Sequence, residues 1–395
     1  MPDPVVAAHR AVAGLFVLNA VAFANVVPRL PAIKAELDLS NAALGSAVAA
    51  MALGALVSGP AAGVLVARFG SARLATACGI GFGLVVPFFG LASSWWALAA
   101  TFLVLGTLDS WMDVSMNAHA LRVQRAMGRS IINTLHGTWS IGAVVGGVAG
   151  ALAAAAGVSV AVQAGVAGAV IVAATLLLRP FLLHGPDDAD REAPSEEVDA
   201  AADRRAARGR LALLGLVVVL SAVIEDAPQS WGAVFLRDEL DTGPGVAGLV
   251  FVAFQVSMTA SRFLGDRLVE RFGATALVRV GGLATAAGVG LGLAVGSVPA
   301  VVAGFAVAGA GTAALFPVAF HEAGHLPGVS TGQGVAVVAW MGRVGFLVAA
   351  PLVGVLGDAA SLRAGLVVVP LAGLAVAALA RPAFPSPASV VDPAP

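Results

Sequence analysis

Two carboxylates and an amide recur at helical spacing inside one of the most apolar parts of the chain. Asp109, Asp113 and Asn117 lie in LVLGTLDSWMDVSMNAHALRVQR, Leu103–Arg125. At ~3.6 residues per turn, positions i, i+4 and i+8 share one stripe of a helix. Asp109 is 14 residues from Trp95 and 13 from Arg122, which predicts a place near the middle of a crossing helix. An Asp at such a place costs about 2.5–3.5 kcal/mol to insert into lipid. Two on one face are therefore expected to look into water or onto a partner. A carboxyl whose protonation follows the side to which a hollow opens couples protons to transport, with Asp113 leading and Asp109 and Asn117 beside it. The plainer alternative is an Asp serving as a hydrogen-bond acceptor in helix packing.

Other polar groups sit in apolar runs. Asn19 and Asn25 lie in the first. His136 and Trp139, in NTLHGTWSIG, have the chemistry to hydrogen-bond a solute or relay a proton, and to stack on a ring. IEDAPQSWG places Glu225, Asp226 and Trp231 around Pro228, which should loosen its helix and put the acids at an outer vestibule. Arg343 lies halfway along an apolar run and needs a carboxylate or an anionic solute; Asp113 and Glu225 are the candidate partners. FHEAGHL carries His321-Glu322-x-x-His325, the zinc-protease spacing. Pro327-Gly328 breaks that helix at once and no third ligand follows nearby, so an intramembrane protease is the remote alternative.

These groups need membrane helices to hold them. The 395 residues are 59% hydrophobic and 11% charged, too little polar cover for a soluble surface. A net charge of -1 gives no argument for nucleic acid as a partner, and the single cysteine, Cys78, excludes a disulfide framework. A crossing needs ~20 apolar residues. By that measure twelve spans lie near 11–28, 42–66, 74–93, 97–120, 131–154, 158–179, 211–232, 245–265, 276–295, 299–320, 332–354 and 364–380. With both termini in the cytoplasm, Arg10, Arg68, Arg73, Arg122, Arg125, Arg129, the basic residues of the Arg179–Arg210 linker, Arg267, Arg271, Arg279 and Arg381 fall inside. Only Arg29, Lys34, Arg237 and Arg363 fall outside. The expected units are a first six-helix bundle over 1–182, a charged cytoplasmic linker over 183–210, a second bundle over 211–382 and a disordered tail over 383–395.

The halves repeat. An offset of 203 carries KAELD at Lys34–Asp38 onto RDELD at Arg237–Asp241, and RFG at Arg68–Gly70 onto RFG at Arg271–Gly273. It also carries Gly45 onto Gly248 and Gly142 onto Gly345, while Arg343 falls on Ser140. Two parallel repeats imply a central solute site between them, worked by rocking.

GVLVARFGSAR, Gly63–Arg73, resembles the loop signature of the major facilitator superfamily, echoed by DRLVERFGATA, Asp266–Ala276. LSNAALG, SRFLGDRLVERF, PLVGVLGDAA and the Asp113-x-x-x-Asn117 pattern resemble its fucose–proton symporter branch and uncharacterised bacterial relatives. The resemblance implies an all-α fold of twelve transmembrane helices in two pseudo-symmetric bundles. It also implies a cytoplasmic gate from Gly63, Arg68, Gly70, Arg73, Arg262, Asp266, Glu270, Arg271 and Gly273. Ala67 stands where the family has an acid, whereas Glu270 keeps it. Span 1 lacks the aspartate of the fucose branch, which argues against fucose itself. The expectation is a non-enzymatic, cofactor-free, monomeric transporter of the bacterial inner membrane. It would move a small polar, sugar-like solute with protons; proton-coupled efflux of amphipathic compounds is the alternative.

Overall fold

The computed structural model describes residues 3–183, 204–326 and 329–385. Among these, twelve helices are long and apolar enough to cross a membrane. In the first half they are α1 (Pro4–Glu36), α2 (Asn41–Phe69), α3 (Ser71–Gly90), α4 (Trp95–Met127), α5 (Thr134–Ala155) and α6 (Val160–Phe181). The second half holds α7 (Ala207–Ser230), α8 (Pro244–Gly265), α9 (Ala274–Val295), α10 (Val298–Gly324), α11 (Gln333–Ala359) and α12 (Leu362–Ala383). Two run well past their apolar cores: α4 continues through Arg125, and α1 continues through a tight turn at Val27–Arg29 that Pro28 begins. The expected linker lies mostly outside the described residues, but its last part is helical, because the helix of α7 begins at Arg204. The expected tail beyond residue 385 also lies outside them.

The repeat is visible in backbone conformation. Asp38 and Asp241, which close the KAELD and RDELD segments, both take left-handed φ, 49° and 47°. Gly70 and Gly273, which stop α2 and the last turns of α8, take φ of 84° and 78°. Left-handed backbone costs an L-residue ~1–2 kcal/mol, and Asp tolerates it better than most. The same two sharp reversals are thus built twice. Arg68 lies over the Phe69 ring at 5.4 Å, and Arg271 over Phe272 at 5.3 Å.

Packing repeats as well. Within the bundles α1 pairs with α5 as α7 does with α11, α2 with α4 as α8 with α10, and α3 with α6 as α9 with α12. Glycines set the distances. A Cβ on Gly142 would meet Val17, and one on Gly345 would meet Val219, at 2.9 and 3.0 Å from their Cα atoms. Close backbone approach of this kind is how helices associate where lipid is as apolar as leucine.

Between the bundles run two seams, α2 on α11 and α5 on α8. Both are shut at the end that carries Lys34. There the Asn41 and Ala42 N–H groups at the start of α2 donate to Asp358 at 2.9 and 2.8 Å, and Lys34 pairs with Asp238 at 2.6 Å. A carboxylate on a helix N-terminus satisfies orphan donors and meets the positive end of the helix dipole. Toward the Arg68 end the seams part: a Cβ on Gly63 or Gly265 would meet nothing within 4 Å.

Candidate functional site

Asp109 projects from the middle of α4 and accepts a hydrogen bond from Asn19 Nδ2 of α1 at 2.9 Å. Asn19 Oδ1 accepts in turn from Trp139 Nε1 of α5 at 2.7 Å. One buried amide, 6% exposed, therefore ties three helices together beside a carboxylate. Bonds to a charged acceptor contribute ~1.5–3 kcal/mol, which explains an Asn inside an otherwise apolar helix. Trp139 spends its N–H on this bond.

One turn on, Asp113 is exposed and accepts from Asn117 Nδ2 at 3.0 Å. His136 on α5 and, from the facing bundle, Arg343 on α11 lie in electrostatic range of it. His136 is itself exposed and stands edge-on to Phe16, ring centroids 5.3 Å apart. Asp109, Asp113, Asn117, His136, Asn19 and Trp139 thus gather in one place, on the side of the first bundle that faces the second.

The second bundle answers with two cations. Arg343 Nη1 donates to the Ala55 carbonyl of α2 at 3.2 Å and lies in electrostatic range of Asp109 and Asp113. Glu225, the other candidate partner of Arg343, lies in electrostatic range of Arg262. Arg262 Nη1 reaches Ser140 Oγ at 3.4 Å. It stands beside this central group, on the same helix as Asp266, Glu270 and Arg271 of the signature.

Glu225, Asp226 and Trp231 do not line a solvated vestibule here. They are 8%, 7% and 0% exposed, in the part of α7 and the turn after it that the closed seam covers. Glu225 Oε1, Asp226 Oδ2 and Trp231 Nε1 have no hydrogen-bond partner among the described residues. A Cβ on Gly45 of α2 would come within 3.0 Å of the Trp231 ring, so this ring is part of the seam. Asn25 is also away from the central group. It caps the end of the first long helical stretch, donating to Val21 and Ala22 carbonyls and accepting from Gln163 of α6.

At the open end Arg68, Arg73, Glu270 and Arg271 are exposed, with Gly70 and Gly273 at the turns and Asp266 on the same helix as Arg262. In the zinc-protease pattern Glu322 forms an ion pair with Arg210, and His325 Nδ1 lies 2.7 Å from the His321 carbonyl. The ion pair engages the would-be base, and no group of three or more His, Cys, Asp or Glu placed to hold a metal occurs among the described residues. Sequence reading gave no contact to Asp358, which caps α2 across the seam, or to Ser140 and Gly59, which receive Arg262 and Arg343. Gly59 had a signal, since the repeat offset carries it onto Arg262.

Two pseudo-symmetric six-helix bundles, closed on each other at one end and parted at the other around mid-membrane charges, define a secondary transporter. The chain belongs to the Major Facilitator Superfamily, whose family model matches residues 12–233 and 214–394. It is 32% identical over 371 residues to the uncharacterized transporter y4wD of Sinorhizobium fredii, covering 94% of this chain and 97% of that one. It is 29% identical over 371 residues to the membrane protein MosC of Rhizobium meliloti, covering 93% and 88%. Among solved structures it is similar to a mutant of the nucleoside transporter NupG, with a TM-score of 0.78 at 13% identity over 95% of this chain and 99% of that one. It is also similar to FucP in the outward conformation, with a TM-score of 0.63 at 17% identity over 97% and 100%. At such identities the likeness is one of fold.

Proposed function

We propose that the protein is a proton-coupled symporter for a small polar solute, of sugar or nucleoside size, in a bacterial inner membrane. The arginine-rich Arg68 end would face the cytoplasm, by the positive-inside rule. The observation that carries this reading is Asp113: a mid-helix carboxylate, exposed, with His136 and, from the other bundle, Arg343 in electrostatic range. Desolvation makes the ionised acid expensive when the hollow shuts, and water makes it cheap when the hollow opens. Proton uptake and release then follow the conformational cycle. Asp109, held by Asn19, is the second acid on the stripe, and Asn117 fixes the orientation of Asp113. The solute would lie between His136, Trp139 and the second bundle. The nucleoside carried by the structural neighbour NupG suggests the solute size and nothing finer.

The test is solute-driven proton movement into proteoliposomes. A panel of monosaccharides, polyols and nucleosides is added and external pH is followed. Alkalinisation with at least one member, lost in Asp113→Asn, is the expected result. Uptake that proceeds without pH change, or that survives Asp113→Asn with its pH change intact, refutes the assignment. Solute-driven acidification of the medium would point to antiport.

A further inference from the structure

Two arginines of the second bundle cross to the first at related places. Arg343 donates to Ala55 O and lies against Gly59, where the missing side chain leaves room for the guanidinium. Arg262 reaches Ser140 Oγ. The offset of 203 carries Gly59 onto Arg262 and Ser140 onto Arg343. The two contacts are therefore one contact made twice by the pseudo-symmetry, with small residues on the first bundle and arginines on the second.

Their position along the seams is also shared. From the Lys34 end the α2–α11 seam runs Asn41 against Gly354, Gly45 against Ala350, then Gly59 against Arg343, and beyond it Gly63 is open. The α5–α8 seam runs Ala155 against Gly245, Ala151 against Gly248, Gly147 against Phe251, then Ser140 against Arg262 beside Gly137 against Phe263. Beyond these Gly265 is open. Each guanidinium thus sits at the inner limit of contact between the bundles, where the hollow begins.

Neither arginine forms an ion pair among the described residues. Acids are nonetheless in range: Asp109 and Asp113 for Arg343, and Glu225 for Arg262. In the closed seam Asp109 is engaged by Asn19 and Asp113 by Asn117. A guanidinium in mid-membrane must keep an acceptor in every state. With the seam shut that acceptor is the first bundle's backbone or hydroxyl; with the seam parted the carboxylates are the nearest replacement.

We propose that Arg262 and Arg343 are paired positioning residues that latch the seam at the Lys34 end. Opening that end requires both guanidinia to leave Ser140 and Ala55 and turn onto the carboxylates in range, Glu225 for Arg262 and Asp109 or Asp113 for Arg343. The proposal rests on the two-state cycle of a secondary transporter and not on proton coupling, so its test needs neither solute nor pH gradient.

Val27 is fully buried in an apolar cluster that includes Phe251 of the other bundle, and a cysteine there reports opening of the seam. The native Cys78, 1% exposed inside the first bundle, reports loosening of the fold. In Val27→Cys protein, labelling by a small aqueous maleimide is expected to be slow. With Arg262→Ala or Arg343→Ala added it rises roughly tenfold, the shift one lost charge-assisted hydrogen bond allows. Cys78 labelling stays unchanged. Ser140→Ala reproduces part of the Arg262→Ala effect, and Arg→Lys at either position restores much of the protection. Arg→Gln serves where Ala gives no folded protein. Unchanged Val27→Cys labelling in both arginine variants overturns the latch. So does a gain matched by Cys78, or one as large in Arg→Lys as in Arg→Ala.

Discussion

A methyl group added at Gly45 should move the conformational equilibrium, whereas one added at Gly54 should damage the fold. Both glycines are on α2 and both would put a Cβ into a neighbouring backbone. At Gly45 the obstacles are Ala350 O at 2.5 Å, Ala350 C at 2.9 Å and the Trp231 ring at 3.0 Å, all in the second bundle. At Gly54 they are Leu103 and Thr107 of α4, the latter's nitrogen at 3.1 Å, within the same bundle. Ordinary contact requires the seam at Gly45 to widen by about 1 Å, and overpacking of that kind costs ~1–3 kcal/mol. If the parted-seam state relieves that strain, Gly45→Ala raises its population about 5- to 150-fold at ~1.4 kcal/mol per decade. No state of the cycle separates α2 from α4, so Gly54→Ala, whose Cβ overlaps Leu103 O more deeply than that of Gly45 overlaps Ala350 O, puts a cost at least as large on the folded protein. The assay is maleimide labelling of Val27→Cys together with thermal unfolding of the detergent-purified protein. Gly45→Ala is expected to label faster with little change in Tm, and Gly54→Ala to unfold earlier with labelling unchanged. Equal loss of Tm in both, with no gain in labelling for Gly45→Ala, refutes the division of the chain into two bodies that rock on this seam.

Further outcomes follow from the site and the repeat. Asn19→Leu removes the donor to Asp109 and the acceptor for Trp139, and should destabilise the protein by ~2–4 kcal/mol. Lower Tm and a red-shifted emission difference assigned through Trp139→Phe would show it, and an unchanged Tm would contradict it. Asp38→Gly and Asp241→Gly should leave Tm unchanged or raise it, while Asp→Val at either lowers stability by ~1–2 kcal/mol. The effects should match between repeats, and a large effect at only one would deny their equivalence.

Much of the architecture was readable because membrane helices are specified locally. Lipid leaves backbone groups no partner but their own helix, so apolar length alone marks each crossing. The spans near 74–93 and 276–295, for example, sit on α3 and α9 to within a few residues. The offset of 203 found in short motifs returned as matching φ angles at Asp38 and Asp241 and at Gly70 and Gly273. The stripe of Asp109, Asp113 and Asn117 was legible because two charges on one face of an apolar helix cannot all be assigned to lipid.

What the chain order could not decide was which element stands opposite which polar group, and in which state. Asn19 and Asn25 look alike in sequence. Only packing brings Asn19 to Asp109 and Trp139 while Asn25 goes to Gln163. Arg262 read as part of a helix-end signature, and Arg343 as a cation in search of Asp113 or Glu225. The seam instead hands each a small residue of the other bundle, 122 residues away for Arg262 and 288 for Arg343. Glu225 and Asp226, expected at a solvated vestibule, are buried in the tertiary structure. Helix length and periodicity are properties of a segment. Partnerships between helices arise from the closure of two bodies on each other, and no local pattern encodes the far side of that contact.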